Sequence, residues 1–211
     1  MRVSDGMILA HTPLYHGPPT DPLNPPPDKR TLALPGPIGG LQTGCATDGK
    51  RVYTNGIDAI YLGTQESSAK SRLPTGGRVV ALSLDTKEEH WRHERPKVAS
   101  IGGPKPKPVF KNVGDPVASG IAVANGIVYF TTLMSSKLVA LDAATGKELR
   151  EIQLPPVWSG PAVSRGRVYV GTGNIITPDV AFLGPRQSTG TLFSFGLPGE
   201  DEVSRLGGRK E

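Results

Sequence analysis

Residues Ser119 to Asn174 read SGIAVANGIVYFTTLMSSKLVALDAATGKELREIQLPPVWSGPAVSRGRVYVGTGN, and this stretch decides the fold. Ser119-Gly120-Ile121-Ala122-Val123 is followed by the turn pair Asn125-Gly126 and then by Ile127-Val128-Tyr129-Phe130. A second hairpin leads into Leu138-Val139-Ala140-Leu141-Asp142, and Thr145-Gly146-Lys147 turns the chain into Glu148-Leu149-Arg150-Glu151-Ile152. The pattern then restarts at Ser159-Gly160-Pro161-Ala162-Val163, with Arg165-Gly166 before Arg167-Val168-Tyr169-Val170. Four short β-branched runs separated by turn dipeptides, restarting after roughly 40 residues, predict repeated four-stranded antiparallel sheets. Asx-Gly and Arg-Gly pairs between such runs are hairpin turns that need positive φ, so they carry fold.

The same template accounts for the chain on either side. Gly44-Cys45-Ala46-Thr47 precedes Asp48-Gly49 and Arg51-Val52-Tyr53-Thr54. Val79-Val80-Ala81-Leu82 falls on Leu138-Val139-Ala140-Leu141, which places Thr86 on Thr145 and Trp91 on Arg150. Thr191-Leu192-Phe193-Ser194-Phe195 repeats the third run once more, without a fourth. Three copies are expected, and the chain is all-β.

The repeat resembles that of the PQQ-type β-propellers, the fold of the quinoprotein alcohol dehydrogenases. Gly39-Gly40-Leu41-Gln42 with Ala46-Thr47-Asp48-Gly49-Lys50-Arg51-Val52-Tyr53, and the close on Phe193-Ser194-Phe195-Gly196-Leu197-Pro198, are similar to the polyvinyl-alcohol dehydrogenase branch. The resemblance covers roughly Ile38 to Pro198 and implies a propeller with blades at about 38–95, 118–154 and 157–198. Residues 1–37 are then a Pro-rich N-terminal segment, Met1–Ile8 being a candidate remnant of a preceding blade, and 199–211 a C-terminal tail.

Composition agrees with a turn-rich β fold: 211 residues carry 27 Gly and 21 Pro, with no long helical period. Closed propellers have about four to eight blades, so three predict an incomplete ring, completed by missing sequence or by another propeller segment. The first residues hold no apolar run long enough for a signal peptide or a membrane span. The resemblance nonetheless implies a periplasmic or secreted protein. Pro18-Pro19 and Pro25-Pro26-Pro27 mark Thr12 to Pro37 as connector, since proline cannot donate to a sheet ladder.

Two long links, Asn55 to Gly77 and Gly171 to Gly190, fall at equivalent places in the first and third copies. The second copy has only Thr131 to Lys137 there. Equivalent loops of a repeat array emerge on one face, which names a binding side. Arg95 to Val117 is a second Pro-rich segment, with Lys97, Lys105, Lys107 and Lys111. The net charge of +5 raises nucleic acid as a partner. These lysines alternate with prolines and lack interleaved aromatics for base stacking, so a solvated loop is expected and nucleic acid is not.

In relatives of the resembled family, PQQ sits at the ring centre with a divalent cation, commonly Ca²⁺, over a tryptophan, and an Asp is the general base. The family pattern is Gly-Gly-x-x-Trp-Gly, followed at the next strand's end by Gly-Thr-Gly-Asn, whose Asn reaches the metal. In Gly39-Gly40-Leu41-Gln42-Thr43-Gly44 the tryptophan position reads Thr43, and Asp58 lies near the ligand place, shifted in register. Val157-Trp158-Ser159-Gly160 keeps a tryptophan, and Gly171-Thr172-Gly173-Asn174 completes the pattern. Trp158 and Asn174 are therefore the candidate cofactor residues, Asn174 also the candidate metal ligand. The competing expectation is that Trp158 fills the gap between blades and Asn174 caps a turn. Trp91 is expected to pack, with Arg150 altering the equivalent contact.

Other chemistry finds little support. Cys45 is the only cysteine, so there is no disulfide, and no Cys-x-x-Cys-His carries haem. Asp85, Asp142 and Asp201 fall near turns, which leaves Asp179 as the candidate base. His90 and His93, at odd spacing on an expected strand, should point to opposite faces and form no ligand set with His11 and His16. No Gly-x-Ser-x-Gly elbow occurs, and no helical period follows Gly171-Thr172-Gly173, which excludes a Rossmann loop. Two functions stay open: a partial quinoprotein that oxidises a secondary alcohol and passes electrons to a cytochrome, or a non-catalytic propeller segment that binds a protein or polymer.

Overall fold

The computed structural model describes residues 5–7, 12, 14, 32–33, 40–41, 43–58, 61–62, 76–101, 110–133, 135–173 and 190–196. In chain order the strands are β1 (Leu32–Ala33), β2 (Ala46–Thr47), β3 (Arg51–Asp58), β4 (Tyr61–Leu62), β5 (Gly76–Ser83) and β6 (Glu89–Glu94). There follow β7 (Lys97–Ile101), β8 (Phe110–Gly114), β9 (Ala122–Ala124), β10 (Ile127–Thr131) and β11 (Lys137–Asp142). The last are β12 (Glu148–Gln153), β13 (Ala162–Ser164), β14 (Arg167–Thr172) and β15 (Thr191–Gly196).

Two four-stranded antiparallel sheets, β2-β3-β5-β6 and β9-β10-β11-β12, are the first and second blades. A three-stranded sheet, β13-β14-β15, is the third. The turns between first and second strands are built as their residues demand. Asn125 and Gly126 take φ of 50° and 77°, and Arg165 and Gly166 take 49° and 72°, which matches the twist of the flanking strands. Both complete blades carry a register shift at the same repeat position, between Ala81 and Leu82 in one and between Ala140 and Leu141 in the other.

The blades pack in series. First strands of neighbours lie side by side, β2 by β9 and β9 by β13. At this inner edge there is no room for a side chain: a Cβ on Gly160 would lie 2.7 Å from the Gly120 carbonyl oxygen. Further out, Tyr53, Val79, Ala81 and Trp91 of the first blade bury against Val128, Phe130, Val139 and Leu141 of the second. The other face of the second blade, through Leu138 and Leu154, buries against Val168 and Val170 of the third, with Phe193 and Phe195 at the margin. The second joint thus has backbone against backbone at its inner edge, and the first has large side chains filling its outer part.

Trp91 is the outer filler of the first joint. Its indole N–H donates to the Ala143 carbonyl at 3.0 Å, and its ring lies where a Cβ on Gly146 would come within 2.6 Å. Tyr53, with its ring centroid 5.8 Å from that of Trp91, also donates to Ala143, at 3.2 Å, and to Asp48 at 2.8 Å. Burial and the bond to Asp48 push the Tyr53 hydroxyl up to about 12. Arg150, at the equivalent place in the second blade, is exposed.

Three expectations are corrected. The segment from Arg95 to Val117 is not simply a solvated loop: β7 and β8 pair antiparallel, and Asp115 to Ser119 are buried. Val98, Ile101, Phe110 and Val113 supply strand-forming residues, while Pro104, Pro106 and Pro108 fall between the strands in sequence. In the first blade the ladder runs past Asn55 and Gly77, to Asp58 paired with Gly76. His90 and His93 do not part to opposite sides. The register shift leaves His90 out of the pairing, and its Nε2 lies 3.0 Å from the Ala144 carbonyl oxygen. His93 also faces the second blade, 3.8 Å from Glu148. Strand alternation fails at a bulge.

Candidate functional site

Of the residues singled out by sequence, Thr43 and Trp158 lie at the inner edge, where the ends of second strands meet the entries of first strands. Thr43, Ser119 and Ser159 occupy one repeat position, each followed by glycine. Ser119 accepts from the Thr131 N–H at 2.9 Å and donates to the Thr131 carbonyl at 3.1 Å. Ser159 donates likewise to the Gly171 carbonyl. Thr43 donates toward Asn55 Oδ1 at 2.8 Å and the Ser119 carbonyl at 3.1 Å. Each hydroxyl thus ties a first-strand entry to the second strand beside it.

This equivalence places Trp158 one residue before the hydroxyl position, level with Ala118 and Gln42. Thr43 and Trp158 are therefore not at the same place in the repeat, although both fall where the family pattern suggests its tryptophan. Trp158 is half-buried and packs against Ile57 of the first blade and Ala118 of the second. The Gly173 N–H donates to the Pro156 carbonyl at 2.8 Å, which holds the end of β14 beside the segment bearing Trp158. Asn174 follows directly in sequence but lies, with Asp179, Asp201 and the side chain of Asp58, outside the described residues.

PQQ needs an aromatic face, and its cation needs oxygen ligands. Half-buried Trp158 fits the first requirement. Among the described residues no three His, Cys, Asp or Glu side chains gather to hold a metal ion, so they do not supply the second. Asp142 is committed to its turn: its carboxylate accepts from the Thr145 hydroxyl at 2.7 Å and from the Thr145 and Ala144 N–H groups, which holds its pKa below the usual value. Asp85 is exposed, and Cys45 is a free, exposed thiol.

A second polar cluster, not foreseen from sequence, lies at the outer part of the first joint. Arg95 is buried, and its guanidinium donates to Glu148 at 2.8 Å and to Glu151, which also pairs with Lys137. The same guanidinium stands 5.9 Å from the centre of the Phe130 ring, within range of a cation–π contact. His93 Nε2 lies 3.5 Å from Arg95. Burial, then the Arg95 charge, pull the His93 pKa below its ordinary value. Burial works against the Glu151 carboxylate, yet the bonds from Lys137 and Arg95 hold its pKa down. Only the arginine's place in the repeat could have signalled this cluster, since it falls where the second blade has Leu154.

Residues 75–181, about half of the chain, match the model of a PQQ-type repeat family described as outer membrane protein assembly factor BamB. The chain belongs to this PQQ-like propeller family. The fold is also found in the quinohemoprotein alcohol dehydrogenase of Comamonas testosteroni, 19% identical, with a TM-score of 0.50 over 80% of this chain and 28% of that one. A europium-containing methanol dehydrogenase is 18% identical, with a TM-score of 0.43 over 75% of this chain and 24% of its own. The quinohemoprotein alcohol dehydrogenase ADHIIG of Pseudomonas putida HK5 is 16% identical, with a TM-score of 0.41 over 69% and 24%. The chain thus spans about a quarter of the length of these enzymes. No curated protein sequence matches it. No helix among the described residues is long and apolar enough to cross a membrane.

Proposed function

We propose that the chain contributes an arc of blades to a PQQ-type propeller that acts on alcohol groups once the ring is complete, and that it is inactive alone. The observation that supports this reading is the bond from Gly173 to Pro156, which keeps the Gly171-Thr172-Gly173 end of β14 beside the segment bearing Trp158. Trp158 would offer its ring face to the quinone and Asn174 an amide oxygen to Ca²⁺. When bound, PQQ supplies the two-electron acceptor for alcohol oxidation. The electrons would pass to a cytochrome, and the complete protein would work in the periplasm or outside the cell.

A second reading, a non-catalytic scaffold for protein or polymer partners, is favoured by the apolar packing of Trp158 on Ile57 and Ala118. Native mass spectrometry of the full chain with PQQ and Ca²⁺ separates the two. The quinoprotein reading expects a mass increase equal to cofactor plus metal, lost in Trp158→Ala. No adduct on the folded wild-type chain, or an adduct retained by folded Trp158→Ala, overturns it and leaves the scaffold.

A further inference from the structure

The hydrogen bonds at the inner edge join into one rail across three blades. Asn55, buried on β3, donates its amide to the Val117 and Ser119 carbonyls, the latter at 3.1 Å. Ser119 is bonded through its hydroxyl to the backbone of Thr131 on β10. Thr131, itself 1% exposed, donates its hydroxyl to the Ser159 carbonyl at 2.9 Å. Ser159 then donates to Gly171 on β14. Asn55 and Thr131 occupy equivalent places in successive blades, and each reaches the carbonyl of the hydroxyl residue that opens the next blade. Two different side chains making the same crossing at two joints argues for a built feature of the array.

The second crossing ends on the carbonyl of Ser159, the residue that follows Trp158. Ala118 and Ile57, the apolar partners of Trp158, restrain its ring, whereas the Thr131 hydroxyl restrains the backbone one residue on, at Ser159. We infer that Thr131 is a positioning residue for Trp158, fixing where the indole stands at the blade entry and, through Ser159, where the end of β14 lies relative to it. Such a residue matters most if Trp158 is a ligand platform, so the functional sense of the inference rests on the quinoprotein reading. Its geometry does not. A hydroxyl replaced by a methyl of the same shape leaves packing intact but deprives a part-buried carbonyl of its donor.

The test uses the full chain labelled with 5-fluorotryptophan and observed by fluorine NMR. Trp91 and Trp158 are its only tryptophans, and Trp158→Phe assigns the two resonances. Thr131→Val should shift or broaden the Trp158 resonance and leave that of Trp91 in place, while Thr131→Ser, which keeps the donor, should restore the wild-type spectrum. Thr131→Ala serves if the valine variant does not fold. An unmoved Trp158 resonance in a folded donor-less variant, equal disturbance of both tryptophans, or no restoration by serine would each overturn the proposal. The readout needs no cofactor, so an absent PQQ adduct would sink the quinoprotein reading and leave this one standing.

Discussion

Gly146 and Lys87 hold the same place in successive copies of the repeat, and both are left-handed, at φ of 71° and 64°. Each closes its turn through the same backbone bond, Gly146 N–H to Asp142 and Lys87 N–H to Ser83. The environments differ: Gly146 lies under the Trp91 ring, whereas Lys87 is exposed. Gly146→Ala should therefore cost about 2–4 kcal/mol, combining left-handed strain with overpacking. Lys87→Gly relieves strain but loosens the unfolded chain, so it should fall within about 1 kcal/mol of zero, on the stabilising side. Urea unfolding of both variants checks the contrast, and equal effects would refute it. At this scale the sequence was legible where chemistry repeats. Asn125-Gly126, Arg165-Gly166 and the Trp91 packing role could be read because each residue type announces its backbone or its need for burial. The burial of Arg95 was signalled only by its place in the repeat, level with Leu154, because an arginine among lysines and prolines gives no sign of carboxylates arriving from β12.

The two joints are different materials. The second is aliphatic, closing Leu138, Leu154, Val157 and Val170 together. The first adds to its apolar core the Arg95, Glu148, Glu151 and Lys137 network, with His93 against it. Protonating His93 would set a second cation beside Arg95, only partly offset by Glu148. Because its folded pKa lies below the ordinary 6.5, the stability tied to neutral His93 is complete above pH 6.5. It is lost progressively as the pH falls below that point toward the depressed value. Glu151, also depressed, keeps its full contribution above its ordinary 4.5 and loses it progressively as the pH falls below that value. Between pH 7 and 5.5 the wild type should lose more stability than His93→Gln, as judged by thermal melts. Parallel losses would remove His93 from the account. The sequence concealed this because a bulge, invisible in the alternation of Glu89–Glu94, sends His90 and His93 toward the same neighbour. It also hid the pairing of β7 with β8, whose short strands are separated in sequence by a proline-rich stretch. Of the candidate site, the sequence named Trp158, which packs on Ile57 and Ala118, and Asn174, which lies outside the described residues. The register of the site was not legible, since two hydroxyls and an indole one residue apart can each be matched to one short motif.

Among the described residues, the second blade lies between the other two. Its Val128, Phe130, Val139 and Leu141 side chains face the first blade, and Leu138 faces the third. Amides of β10 and β11 should then exchange most slowly with solvent, those of β14 and β15 faster, since elements packed on both faces open only with global unfolding. Slowest exchange in the third blade instead would show that its outer side is covered as well.

The close approach of Gly160 to Gly120 also fixes a shape. A sheet array curves when neighbours sit nearer along one edge than along the other, and here the near edge is as near as two backbones can come. The indole of Trp91 holds the far edge of the first joint apart. Curvature, and with it the number of blades a closed ring would need, is thus limited by glycine at the near edge of the second joint and by tryptophan at the far edge of the first. Substitutions that widen the narrow edge would change how many units complete a turn before they changed any single unit.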